Sequence, residues 1–273
     1  MLFYSILFFA IFVISGRVPF SLKGLALAIV PVKEYWFTRV YIGLFIISPF
    51  LNVALNSLSK EFWRNLNIVL LILFSLTISA TALSVGGSSI VWFVTLYSIA
   101  GYIRVHGLNG IVSKKPAVIY FVAMILLYLG VIVLDGYSSY ILRYNFVLVL
   151  LGAVCLFMVF LKLPNASARA TGIINKAAKC TFGIYLIHEN SYVREFLWND
   201  LLNTKLYANN SWGIAITVLI VIGVYIVCTL IDLIRERLFR PLLESNRYGK
   251  IDVWFNKVVS VVNQRFDRGI KKE

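Results

Sequence analysis

Cys180 to Asn190 carries the clearest chemistry in the chain: an apolar run, Phe182 to Ile187, ends in an imidazole and a carboxylate, His188 and Glu189. Imidazole transfers protons near neutral pH, so this pair reads as an acid/base or orienting pair. The competing reading is a histidine that closes a helix end and bonds to a loop. Arg39 stands just inside another apolar run, where a guanidinium must snorkel, pair or bind an anion. Asn52 and Asn56 share a helical face after Pro49 and can hydrogen-bond a sugar or join two helices. The only other histidine, His106, follows Arg104 in a basic stretch and has no acidic neighbour close in sequence.

The elements that hold these groups are apolar. Hydrophobic residues make up 60% of the 273, charged residues 14%, and the mean hydropathy is +0.85. That composition gives an all-α, polytopic transmembrane bundle. A span needs about 20 apolar residues for roughly 30 Å of hydrocarbon, so the chain holds about seven to eight spans. The runs are Leu2–Ser15, which is short, then Tyr35–Leu58, Asn65–Val85, Ser89–Arg104, Ala117–Leu134, Phe146–Leu163, Ile173–His188 and Gly213–Ile234. Tyr35, Trp36 and Phe37 suit the headgroup level, Pro49 predicts a kink, and Gly86-Gly87-Ser88 predicts a tight turn. Residues 1–234 read as the bundle and 235–273 as a basic amphipathic tail.

Charge sets orientation. After Asp232 there are ten Lys/Arg against five Asp/Glu, which predicts a cytoplasmic C-terminus. Counting back, the loops around Lys60/Arg64, Arg104–Lys115 and Lys162–Lys179 fall inside, and His188 lies near the outer face. Arg17, Lys23 and Lys33 then sit on the outside against the rule, where they bind substrate or lie against protein.

The net charge of +14 sits in loops and tail and is explained by topology, so no nucleic-acid partner is expected. Cys155, Cys180 and Cys228 are far apart in apolar runs and read as packing residues, not as disulfides or metal ligands. GxSxG, P-loop, HExxH and GxGxxG strings are absent, which removes soluble hydrolase, ATPase and metalloprotease readings.

Three strings in this order, Tyr35-Trp36-Phe37 with Tyr41 and Ser48 to Asn52, Gly101-Tyr102-Ile103-Arg104, and Thr181 to His188, resemble the integral-membrane acyltransferase family 3. Its bacterial members that O-acetylate exopolysaccharide, capsule or lipid-linked glycan are the most similar. The resemblance implies acetyl-CoA as donor on the cytoplasmic side, no metal, a saccharide or lipid-linked glycan hydroxyl as acceptor, and a place in the bacterial inner membrane. It also implies helices before Leu2–Ser15 that bear the family's catalytic histidine and a preceding basic residue, to which no residue of this sequence corresponds. His188 and Glu189 are then the candidate catalytic residues, and Tyr35, Trp36 and Asn52 belong to the substrate pocket. Arg39 and Arg104 are candidates for donor phosphates or a developing anion, from charge and depth.

Two rivals remain at this level. A transporter or flippase for lipid-linked sugar needs paired ionisable groups deep in several spans, of which the runs offer few. A non-catalytic remnant would insert in the membrane without transferring acetyl groups.

Overall fold

A computed structural model of the chain describes residues 1–31, 34–76, 86–108, 110–134, 137–164, 167–207, 212–243, 253 and 257. Twelve α-helices appear among these residues: α1 Leu2–Ile14, α2 Leu22–Ile29, α3 Trp36–Asn56, α4 Lys60–Leu71, α5 Ile90–His106, α6 Ile111–Lys114, α7 Pro116–Val133, α8 Ser138–Ile141, α9 Val147–Lys162, α10 Ala168–His188, α11 Ser191–Glu195 and α12 Gly213–Leu243. Two π-helical turns, Ile72–Leu76 and Phe196–Leu201, extend α4 and α11. No strand occurs among the described residues, in agreement with the all-α expectation.

Hydrogen-bonding side chains start the helices where a loop must hand over. Ser59, Ser89 and Ser167 each accept a backbone N–H from the first turn of α4, α5 and α10. Pro116 occupies the first position of α7, where its missing N–H costs nothing. Helix α3 runs through Pro49 without a break in assignment.

Three helices, Trp36–Asn56, Pro116–Val133 and α12 over Gly213–Pro241, are long and apolar enough to cross a membrane, and α1, α5 and α9 are shorter apolar helices. Only 6% of the apolar window of α12 is buried by protein, and 11% of that of α7. Such bare apolar faces have their counterpart in lipid hydrocarbon. The second half of the expected Asn65–Val85 span, residues 77–85, lies outside the described residues. So does the tail beyond Leu243 except Val253 and Lys257, while α12 itself continues past the expected boundary at residue 234.

The chain divides into two units. The first comprises residues 1–39 and 166–256. Its core joins α1, α10 and α12 through Tyr4, Phe8, Cys180, Ile184, Ile187 and Cys228, with Tyr35 added from the residue before α3. The spacing explains the assembly: Cys180, Gly183, Ile184 and Ile187 form one face of α10, and Cys228 and Asp232 lie one turn apart on α12. Arg17, expected on the outside against the positive-inside rule, lies against protein: it pairs with Asp200 at 2.8 Å and stands 4.4 Å from the Phe196 ring centre.

The second unit comprises residues 40–165 and 257–273. Within it α4 packs on α5, and α7 on α9. Gly86 and Gly87 make the tight turn before α5 as expected. Asn145 donates from Nδ2 to the carbonyl of Phe74, a backbone acceptor in the π turn. The three cysteines are buried thiols, in keeping with a packing role.

Candidate functional site

The first unit holds two polar clusters that meet at neighbouring residues of α1. In one, Tyr4 Oη donates to Asp232 Oδ1 at 2.6 Å, and Arg235 Nε donates to the same oxygen at 2.7 Å. Asp232 is 2% exposed, so its charge is removed from solvent and lipid and matched by two strong donors. Gly183 on α10 makes this possible, because the Asp232 carboxyl occupies the space where a Cβ at 183 would stand. The glycine of the Thr181 to His188 string is thus a seat for a carboxylate 49 residues later in the chain.

In the other cluster, Glu34 accepts from Ser5 Oγ, Asn190 Nδ2 and Ser191 Oγ at 3.3, 3.3 and 3.1 Å. Tyr35 Oη donates to the carbonyl of Leu186 at 2.9 Å and accepts from Asn190 Nδ2 at 3.1 Å. Asn190 also takes the N–H of Tyr192 on Oδ1, so its whole amide is engaged where α10 turns into α11. Burial, and then the Glu34 carboxylate, push the Tyr192 phenol up from its ordinary pKa.

His188 ends α10, half-buried. Its Nδ1 lies 2.7 Å from the carbonyl oxygen of Ile184. A carbonyl only accepts, so Nδ1 carries a proton in this contact and Nε2 is the ring nitrogen directed elsewhere. Glu189 instead faces Arg194, 3.5 Å away. The imidazole is therefore oriented by its own helix, and the carboxylate by a side chain five residues on.

The remaining expected site residues divide between the units. Tyr35, Trp36 and Arg39 belong to the first: Tyr35 is fully buried with its hydroxyl engaged, Trp36 is half-buried edge-on to Phe37, and Arg39 is exposed. Asn52 and Arg104 belong to the second, where they line one cleft of about 1190 Å³ with Asn56, Trp63, Tyr97 and Gly101. Asn52 Oδ1 accepts from Tyr97 Oη at 2.7 Å, so Asn52 and Tyr97 join α3 to α5 at the cleft wall. Trp63 Nε1 donates to Ser98 Oγ at 2.9 Å, and Ser98 donates on to Asn67 Oδ1 at 2.6 Å. Gly101 admits the indole, since a Cβ there would stand 3.0 Å from Trp63 Cζ2. His106 packs edge-on at 5.6 Å from the same indole, which gives it a packing role.

Sequence reasoning did not single out Tyr4, Glu34, Asn190 or Trp63. Asp232 carried a signal, as a rare charge within an apolar run, and Trp63 carried none beyond its size. The cleft brings together a guanidinium, which can hold an anion, and the side-chain amides of Asn52 and Asn56, which can hydrogen-bond a polar ligand. Among the described residues no three His, Cys, Asp or Glu side chains come together as metal ligands.

The family model described as an acyltransferase domain, of acyltransferase family 3, matches residues 1–233. No curated protein and no solved structure matches the chain.

Proposed function

The chain belongs to acyltransferase family 3, and on that premise we propose that it O-acetylates a hydroxyl of a bacterial surface polysaccharide or lipid-linked glycan, with acetyl-CoA as donor. The match over residues 1–233 carries the reading, and the cleft of the second unit supports it as the place of the donor. In the transfer the acceptor oxygen bonds to the acetyl carbonyl carbon, the thioester C–S bond breaks, and the hydroxyl proton ends on the departing sulfur.

The chain's own part in this is positioning and charge. Arg104, exposed at the cleft, offers a fork of donors for phosphate oxygens. Asn52, held by Tyr97, fixes the cleft wall, and Trp63, 2% exposed and held by Ser98, packs behind it. In the first unit His188 stays an acid/base candidate on its own account, with Nδ1 bound to the carbonyl of Ile184.

The reading takes α1, α4, α5, α9 and α10 as crossing the inner membrane along with α3, α7 and α12, with the C-terminus cytoplasmic. The basic residues at the start of α4 and the ends of α6 and α9 support that side. Ion-coupled transport is disfavoured by burial: Asp232 is the one buried charge among the described residues, and its partners are Tyr4 and its own helix's Arg235.

The test is the O-acetyl content of the surface glycan, read by base-labile acetate release with and without the locus. Loss on deletion, restored by the wild-type gene and restored less fully by R104A, is expected. Unchanged acetate after deletion contradicts the reading.

A further inference from the structure

The second unit has another cavity, of about 520 Å³, where the α6–α7 junction meets the end of α9. Three ammonium groups, Lys114, Lys115 and Lys162, line it, and no acidic residue does. Lys162 reaches from α9 to donate to the carbonyl of Ser113, which holds one ammonium near α6 and leaves it two further N–H donors. The remaining lining includes Val118, Val159 and Leu163, with Val118 57% and Leu163 55% exposed. These apolar walls continue along the face of α7 that carries Phe121 and Ile125, 64% and 57% exposed.

A pocket with cations at one end and bare aliphatic walls leading into an apolar helix face has the polarity of a lipid. We infer that it binds an anionic phospholipid, with the phosphate among Lys114, Lys115 and Lys162 and an acyl chain along Val118, Val159 and Leu163. A soluble phosphate compound would use the lysines and leave the aliphatic walls wet. A zwitterionic lipid would bring a cation of its own against three ammonium groups. The net negative headgroup satisfies both ends, as expected for basic pockets at the ends of membrane helices. The inference is independent of the acyl-transfer reading.

The test is lipid retention by the purified full chain in detergent, measured by native mass spectrometry with phosphatidylglycerol and phosphatidylcholine of identical acyl chains. Preferential retention of phosphatidylglycerol is expected, falling about tenfold or more in K114Q/K115Q/K162Q, given that each lysine near a headgroup contributes on the order of 1 kcal/mol. The arginine variant K114R/K115R/K162R should keep the preference, which separates lost charge from lost folding. K176Q/K179Q, which removes two lysines of α10 outside the pocket, should keep it too. Equal retention of the two lipids, loss in the arginine variant, or an equal drop in K176Q/K179Q overturns the site. Displacement of phosphatidylglycerol from the wild type by millimolar inorganic phosphate or coenzyme A assigns the pocket to a soluble anion and overturns the lipid.

Discussion

Both units seat a side chain of one helix on a glycine of another, but with opposite polarity. In the first, the Asp232 carboxylate rests on Gly183 and is closed by Tyr4 and Arg235; in the second, the Trp63 indole rests on Gly101 and is tied to Ser98. The first arrangement uses up its charge in the interior. The second leaves an adjoining guanidinium, amides and an aromatic face around a cleft. A helix–helix clasp and a binding surface can therefore be built from the same device, and what distinguishes them is whether the neighbouring polar groups are already spent. Both glycines fall within the strings that resemble the family, which gives those strings a physical reason beyond their resemblance.

The largest effect should come from G183A. The new methyl displaces a buried carboxylate and breaks its bonds to Tyr4 and Arg235, costing on the order of 3–5 kcal/mol, as for a disrupted buried ion pair. Thermal melting in detergent checks it, and a double-mutant cycle with D232A should show strong coupling. Additive losses would mean that the glycine does not act through Asp232.

G101A in the second unit should cost less, about 1–3 kcal/mol of overpacking, because an indole edge yields by a few tenths of an ångström more readily than a paired charge. Equal losses at 183 and 101 would erase the contrast between the two seats. N190A removes the amide shared by Tyr35 and Glu34 and should cost about 1–3 kcal/mol, read in the same melting experiment. R17A breaks a pair in which both side chains are about half exposed, 49% and 57%, and should change stability by roughly 0.5 kcal/mol or less. A drop as large as that of N190A would show that the exposed contact supports the fold.

The helices were legible wherever an apolar run of adequate length met a capping serine, a proline or a glycine turn, as at α5 and α7. Their partners were not. Tyr4 and Asp232 lie 228 positions apart, and Asn190 and Glu34 156, so no local pattern announces their bonds. His188 and Glu189 show the reverse case: neighbours in sequence point about 100° apart on a helix, and here each takes a different partner. Asn52 and Arg104 could be named from charge and depth alone, but the cleft that unites them depends on Trp63 and Gly101, whose fit is a matter of three-dimensional packing.

The most direct test of the account is transfer of labelled acetyl from acetyl-CoA to glycan, counted per folded molecule of the full-length protein, for wild type, N52A and R104A. The cleft as donor site predicts a KM for acetyl-CoA raised about tenfold or more in R104A, the loss expected for a charge-assisted phosphate contact, with melting unchanged. An unaltered KM in both variants, with wild-type transfer intact, would contradict it.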